Sequence, residues 1–65
     1  MEIVVNGETV TIAAMPVLSY LRSIAVDPLR VAVELNQDIL PKTEYGTTML
    51  NEGDRVEIVH FVGGG

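Results

Sequence analysis

The C-terminal Gly63-Gly64-Gly65 is the segment of this 65-residue chain that is best suited to chemistry. Glycine has no Cβ, so three in a row form a flexible tail slender enough to thread a channel too narrow for side chains. The one reactive group of the tail is the carboxylate of Gly65, which three extended residues carry roughly 10 Å from the domain. A carboxylate is a poor electrophile and must be activated before it can transfer a group. The alternative is a frayed terminus, or glycines left by cloning or truncation.

The other side chains with catalytic potential show no spacing that supports a reaction. His60 is the only histidine, and a partly exposed histidine in a strand is ordinary. No glycine-rich loop is followed by a helix that would hold a phosphate. We therefore predict no catalytic residue and no metal site, and expect a partner to bind any ATP that is used. No calcium or magnesium ligand series is formed by the acidic side chains Asp38, Glu44, Glu52, Asp54 and Glu57.

Composition predicts one small domain over residues 1–65 with a modest core. Hydrophobic residues make up 48% of the chain and charged residues 20%, as in globular domains, and there is no cysteine to form a disulfide or a thiolate zinc site. Nine acidic residues oppose four basic ones, for a formal charge of −5. This charge disfavours nucleic acid as a partner and favours a basic protein surface. The alternative is that the charge only keeps a small protein soluble. The sequence shows no secretion signal and no stretch long enough to span a membrane, so we expect the cytoplasm.

Hydrophobic periodicity predicts the order strand, strand, helix, strand, short strand, strand. The first two strands flank Asn6-Gly7, a strong hairpin signal. The helix is predicted to begin with Pro16 at its first position and to be closed by Asp27-Pro28, and its apolar spacing directs Val17, Leu21 and Ile24 to the sheet. The remaining predicted segments are a strand at 31–35, a short strand at 39–40, a loop with one helical turn at 41–50, and the longest strand at 55–62.

Helix and sheet in separate layers define the α+β class. A hairpin that crosses over a helix into a mixed sheet of four to five strands, with the last strand beside the first, is the β-grasp (ubiquitin-like) arrangement. We therefore predict this fold, with one main helix packed on one face of the sheet.

Alternation in the last strand predicts a partner-binding surface. Charged Arg55 and Glu57 do not belong in a core, so Val59 and Phe61, which alternate in phase with them, turn to the outer face. That face leads directly to the glycine tail, and exposed aromatic residues anchor well in partner pockets. We therefore predict that Val59, Phe61 and Val62 bind a partner. The alternative is that a bulge or twist places Phe61 at the rim of its own core.

Three segments carry a family resemblance, and together they span nearly the whole chain. Residues 3–7, 36–45 and 52–65 resemble the small sulfur-carrier proteins of thiamine biosynthesis (ThiS), which are relatives of the molybdopterin-synthase small subunit and, more distantly, of ubiquitin. The last segment is the most specific, because it joins an acidic turn, the final strand and the glycine terminus. The helix differs from the acidic, leucine-rich helix expected of the family.

The resemblance implies a sulfur carrier that is itself not an enzyme. A ThiF-like partner would adenylate the carboxylate of Gly65 with ATP and Mg²⁺, and a sulfur-donating enzyme would supply the sulfur of a thiocarboxylate. The carrier would then deliver this sulfur to a ThiG-like thiazole synthase, while Gly63 and Gly64 thread the partner's channel. Three alternatives stay open: a molybdopterin-type carrier, a ubiquitin-like protein modifier, and a β-grasp interaction module. Lys42 is the only lysine, so a modifier has one possible branching point.

Overall fold

A computed structural model describes residues 1–61 and shows a five-stranded sheet with one α-helix. The strands are β1 (Glu2–Val5), β2 (Glu8–Thr11), β3 (Val31–Leu35), β4 (Asp38–Leu40) and β5 (Arg55–His60), and the helix is α1 (Val17–Ser23). Two short 3-10 turns, Pro28–Arg30 and Lys42–Glu44, precede β3 and follow β4.

The sheet is mixed and has the order β2-β1-β5-β3-β4. β1 and β5 are parallel neighbours, and the other pairs are antiparallel. The chain thus forms a hairpin, crosses by way of the helix, and returns its last strand to the centre beside the first. This is the predicted β-grasp arrangement, and the prediction of neighbouring first and last strands is confirmed.

Both hairpin turns use left-handed backbone conformations. Asn6 and Gly7 have φ angles of 48° and 83°, as the predicted Asn-Gly turn requires. Between β3 and β4, Asn36 and Gln37 have φ angles of 51° and 74° without a glycine. The Asn36 amide offsets part of that strain, because it accepts a hydrogen bond from the Arg55 N–H and donates one to Asp54.

The core lies between the helix and one face of the sheet. It contains two tyrosines, Tyr20 and Tyr45. Val56 and Ile58 of β5 point into it, in phase with the predicted alternation. The full set of buried hydrophobic residues is Ile3, Val17, Tyr20, Leu21, Val31, Val33, Tyr45, Leu50, Val56 and Ile58.

The predicted helix is too long at both ends. Pro16 has the extended φ and ψ of an N-cap residue, so the helix begins at Val17. At the other end Ala25 has a φ of 59°, and its N–H binds the Arg22 carbonyl while the Val26 N–H binds that of Leu21. These are the two bonds of a Schellman motif, which reverses the chain.

The reversal at the helix C-terminus corrects the predicted packing of Ile24. This residue becomes the C-cap and leaves the buried stripe of the helix, so its side chain is 43% exposed. Tyr20, one turn earlier, is buried in the core instead. The prediction was right for Val17 and Leu21 and wrong for Ile24.

Candidate functional site

Val59 and Phe61, two of the predicted partner-binding residues, lie at the end of β5 and directly after it, and Val59 is on the face of the sheet that the helix does not cover. The side chain of Val59 is 58% exposed and that of Phe61 is 61% exposed. Their predicted outward orientation is confirmed, and Phe61 is not part of the core. The regular strand ends at His60, earlier than predicted. Val62, Gly63, Gly64 and Gly65, which carry the rest of the predicted site, lie outside the described residues.

Neighbouring strands extend this apolar surface. Val59 is the cross-strand partner of Ala32 in β3. Two residues further along β3, Glu34 lies on the same face as Ala32 and is the cross-strand partner of Ile39 in β4. Ile39 therefore lies on the same face as Val59. The side chain of Ile39 is 77% exposed. We call Ala32, Ile39, Val59 and Phe61 the outer-face patch. An exposed apolar surface of this kind, next to polar residues, is typical of a protein interaction site.

Two acidic side chains border the outer-face patch. Glu34 of β3 and Glu57 of β5 are direct cross-strand partners, and both are exposed. Like charges directly opposite each other in a sheet are destabilising. A basic side chain on a docking protein would relieve that repulsion locally, and exposed Arg55, in phase with Glu57 in β5, adds a positive charge to the same face.

The backbone of Phe61 is fixed to the sheet although its strand has formally ended. Its N–H donates a hydrogen bond of 2.9 Å to the carbonyl oxygen of Arg30. This bond continues the β3–β5 ladder one step beyond the pairing of Val31 with His60. The position of Phe61 is therefore set by the sheet, and only four residues separate it from the end of the sequence.

Lys42 lies under the ring of Phe61 and is the residue that sequence reasoning missed. Its ammonium is 5.3 Å from the centroid of the Phe61 ring and 5.7 Å from that of Tyr45. It also donates hydrogen bonds to the carbonyl oxygens of Val31 and Pro28, the latter at 3.3 Å. The sequence marked Lys42 only as the one possible branching point, because these partners lie far from it along the chain.

Asn6 anchors the middle of β5. The pairing of β1 with β5 ends at Val5. Beyond it, the side chain of Asn6 makes the hydrogen bonds to β5 that a backbone partner would make. Its Oδ1 accepts a hydrogen bond of 2.7 Å from the Ile58 N–H, and its Nδ2 donates one of 3.2 Å to the Ile58 carbonyl. The residue that predicted the hairpin turn thus also holds the strand that carries Val59.

His60 and the acidic side chains are the groups that the sequence raised for catalysis or metal binding. His60 is exposed at the end of β5. Within residues 1–61 there is no group of three or more histidine, aspartate or glutamate side chains placed to hold a metal ion. The α-helix of the described part is too short to cross a membrane.

Comparison with known proteins identifies the family. The model of the ThiS family matches residues 3–65, so this chain belongs to the ThiS family. The crystal structure of the thiamine biosynthesis protein (ThiS) from Geobacter metallireducens superimposes with a TM-score of 0.85 at 32% identity, covering 100% of both chains. The fold is therefore that of a ThiS protein.

This chain covers different shares of two relatives known from their sequences. A thiazole synthase of Paramagnetospirillum magneticum is 46% identical over 100% of this chain, which spans only 20% of that protein. The sulfur carrier protein ThiS of Bacillus subtilis is 51% identical over 54% of this chain and 53% of its own length. A region similar to this chain is thus one fifth of a larger protein in the first case.

Proposed function

We propose that this chain is a sulfur carrier of thiamine biosynthesis and that the carboxylate of Gly65 is the group that carries the sulfur. The observation that supports this most is the family match, which runs through to residue 65. The sheet fixes the chain up to Phe61, and the four residues that follow reach at most roughly 14 Å when extended. A reactive carboxylate would then be presented a short distance from the outer-face patch.

The proposed chemistry takes place in two steps on the terminal carboxylate. In the first step an oxygen of Gly65 attacks the α-phosphorus of ATP, pyrophosphate leaves, and an acyl adenylate forms. In the second step a hydrosulfide equivalent attacks the acyl carbon and AMP leaves, so that a thiocarboxylate remains. A ThiF-like enzyme would bind the ATP and Mg²⁺, and the carrier supplies the substrate group without catalysing either step.

The outer-face patch is the proposed docking surface for the enzymes that act on the tail. Val59 and Phe61 would supply apolar contact area, and Phe61 is the aromatic anchor. Glu34 and Glu57 would attract a basic partner and speed the encounter. Val62 continues this segment in sequence, and Gly63 and Gly64 would pass through the channel of the partner.

Thiazole synthase is the proposed acceptor of the sulfur. In Paramagnetospirillum magneticum and in Magnetococcus marinus, a protein named thiazole synthase contains a region similar to this whole chain, which covers 20% of it. Carrier and acceptor would need to meet in the same compartment, which we expect to be the cytoplasm. A separate enzyme would donate the sulfur.

The proposal is tested by ATP–pyrophosphate exchange with a ThiF-like adenylating enzyme. The full chain is expected to support exchange, whereas a chain without Gly64 and Gly65 is expected to fold normally and support none. Gly64→Val should have a similar effect because a branched side chain would block a narrow channel. A residue added after Gly65 should also abolish exchange, since attack on phosphorus tolerates little misplacement. Undiminished exchange in the shortened chain would contradict the proposal.

A further inference from the structure

Lys42 makes four contacts that converge on the point where the described chain ends. It is the first residue of the 3-10 turn Lys42–Glu44, and its ammonium donates to the carbonyl oxygens of Pro28 and Val31. These two carbonyls flank the start of β3, so the ammonium is tied to the same piece of backbone that receives the Phe61 N–H.

The two aromatic contacts of Lys42 differ in rigidity. Tyr45 is only 2% exposed, and its hydroxyl donates a hydrogen bond of 3.3 Å to the same Val31 carbonyl that Lys42 binds. Tyr45 is thus a fixed wall behind the ammonium. Phe61 lies on the solvent side, largely exposed, with its ring 5.3 Å from the ammonium. The cation therefore links an exposed ring to the core.

An exposed phenylalanine at the end of a strand has few contacts that fix its direction. The hydrogen bond from its N–H to Arg30 fixes the backbone on one side, and the attraction between an ammonium and an aromatic face holds the ring. Both contacts act on Phe61, the last residue that the structure describes. Four residues follow Phe61 in the sequence, and the terminal carboxylate can lie at most roughly 14 Å from it, so a displacement of Phe61 moves the region that the carboxylate can reach.

We propose that Lys42 is a positioning residue for the C-terminal tail: it holds Phe61, and through Phe61 it fixes the point from which the tail presents Gly65 to the adenylating enzyme. This inference rests on the proposed function. Lys42 itself touches neither the reacting carboxylate nor ATP. Its effect should therefore appear in the turnover of the adenylation step and leave the apolar docking contacts of Val59 and Ile39 intact.

The first test uses the isolated chain and needs no partner. Amide hydrogen exchange of Phe61 is measured by NMR in the wild type, in Lys42→Met and in Lys42→Arg. Lys42→Met keeps a flexible apolar chain without the cation, and Phe61 exchange is expected to become about three- to tenfold faster. Lys42→Arg can still donate to the carbonyls and stack on the ring, so it should restore protection. Arg22→Met, which removes the same charge from an exposed position in α1, is the matched control and should leave Phe61 unchanged.

The second test measures kcat and KM for ATP-dependent adenylation of the same variants. Lys42→Met is expected to lower kcat about three- to tenfold with little change in KM, and Lys42→Arg to recover most of it. In a Phe61→Leu background, Lys42→Met should have no further effect, because the residue through which it acts is gone. Thermal unfolding of each variant confirms that equal amounts of folded protein are compared.

The outcomes separate this inference from the proposed function. Unchanged Phe61 exchange in Lys42→Met overturns the positioning role, whether or not the chain is adenylated. Faster Phe61 exchange with an unaltered kcat also overturns it, and leaves the sulfur-carrier proposal standing. A wild-type chain that is not adenylated at all overturns the proposed function and the tail-positioning role together.

Discussion

Truncation of Phe61 to alanine should weaken docking and leave the protein folded. Replacement of a fully buried phenylalanine by alanine costs about 3–5 kcal/mol of stability. The Phe61 side chain is 61% exposed, so only about two fifths of that cost applies. That fraction is about 1–2 kcal/mol, and loss of the attraction to the Lys42 ammonium adds about 0.5–1 kcal/mol. A small domain with a typical stability of about 5–15 kcal/mol would stay folded.

The same change is expected to weaken docking although the protein stays folded. An aromatic anchor at an interface contributes about 2 kcal/mol or more, and the loss of that amount weakens the dissociation constant about 30-fold. The assay pairs urea denaturation, followed by circular dichroism, with titration calorimetry against the adenylating enzyme. Ile24→Ala is the matched control, because Ile24 is an exposed apolar residue at the end of α1, in the layer on the other side of the sheet.

Two results would refute this assignment of Phe61. A stability loss above about 3 kcal/mol, with the affinity of the remaining folded protein unchanged, would mean that Phe61 belongs to the core. An equal loss of affinity in Phe61→Ala and in Ile24→Ala would mean that the outer-face patch is not the docking surface.

Three further changes probe the core, the sheet face and the buried tyrosines. Leu21→Ala removes a fully buried side chain of α1 and should cost about 2–5 kcal/mol in urea denaturation; a loss below about 0.5 kcal/mol would contradict the packing of the helix. Glu57→Lys replaces a like-charge pair with Glu34 by an opposite-charge pair and should raise stability by about 0.2–1 kcal/mol while it weakens binding to a basic partner. Burial raises the pKa of Tyr45 above its ordinary 10.0, so above about pH 10 the unfolded chain loses its phenolic proton before the folded chain does. Stability should therefore be full below pH 10 and fall as the pH rises further. Tyr45→Phe should reduce that slope, and Tyr20→Phe should reduce it further, because burial raises the pKa of Tyr20 as well. An unchanged slope in the double variant would contradict this origin.

The parts of the fold that were predictable follow from short-range rules. The Asn6-Gly7 turn requires two left-handed residues, and asparagine and glycine are the types that adopt that conformation at least cost. Alternation in β5 placed Val59 and Phe61 outside because charged residues in phase with them cannot enter a core. Both rules involve neighbours in sequence, and both predictions are confirmed.

The errors arise where the structure overrides local pattern. Helical spacing alone cannot indicate that the chain reverses after Ile24, because the residue that takes the left-handed conformation is Ala25, where glycine is the usual signal. The turn at Asn36 and Gln37 was missed for a similar reason, since it too lacks a glycine.

The contribution of Lys42 to the site was not predictable from local pattern. Its partners Pro28, Val31 and Phe61 lie on three segments that meet only after the sheet has formed. A single lysine in a loop is ordinarily a solvated charge, and no spacing rule distinguishes one that supports an aromatic ring. Only the three-dimensional structure identifies this residue.

The measurement that decides the function is the location of the sulfur in the loaded protein. The full chain is incubated with ATP, Mg²⁺, a ThiF-like enzyme and a sulfur donor carrying a heavy sulfur isotope, and the intact protein is then fragmented in a mass spectrometer. We expect one labelled sulfur atom in place of one oxygen, found only in fragments that contain Gly65. A labelled atom at another position, a bond between Gly65 and a lysine, or an unmodified chain beside an active enzyme would each contradict the proposal that this protein carries sulfur on its terminal carboxylate.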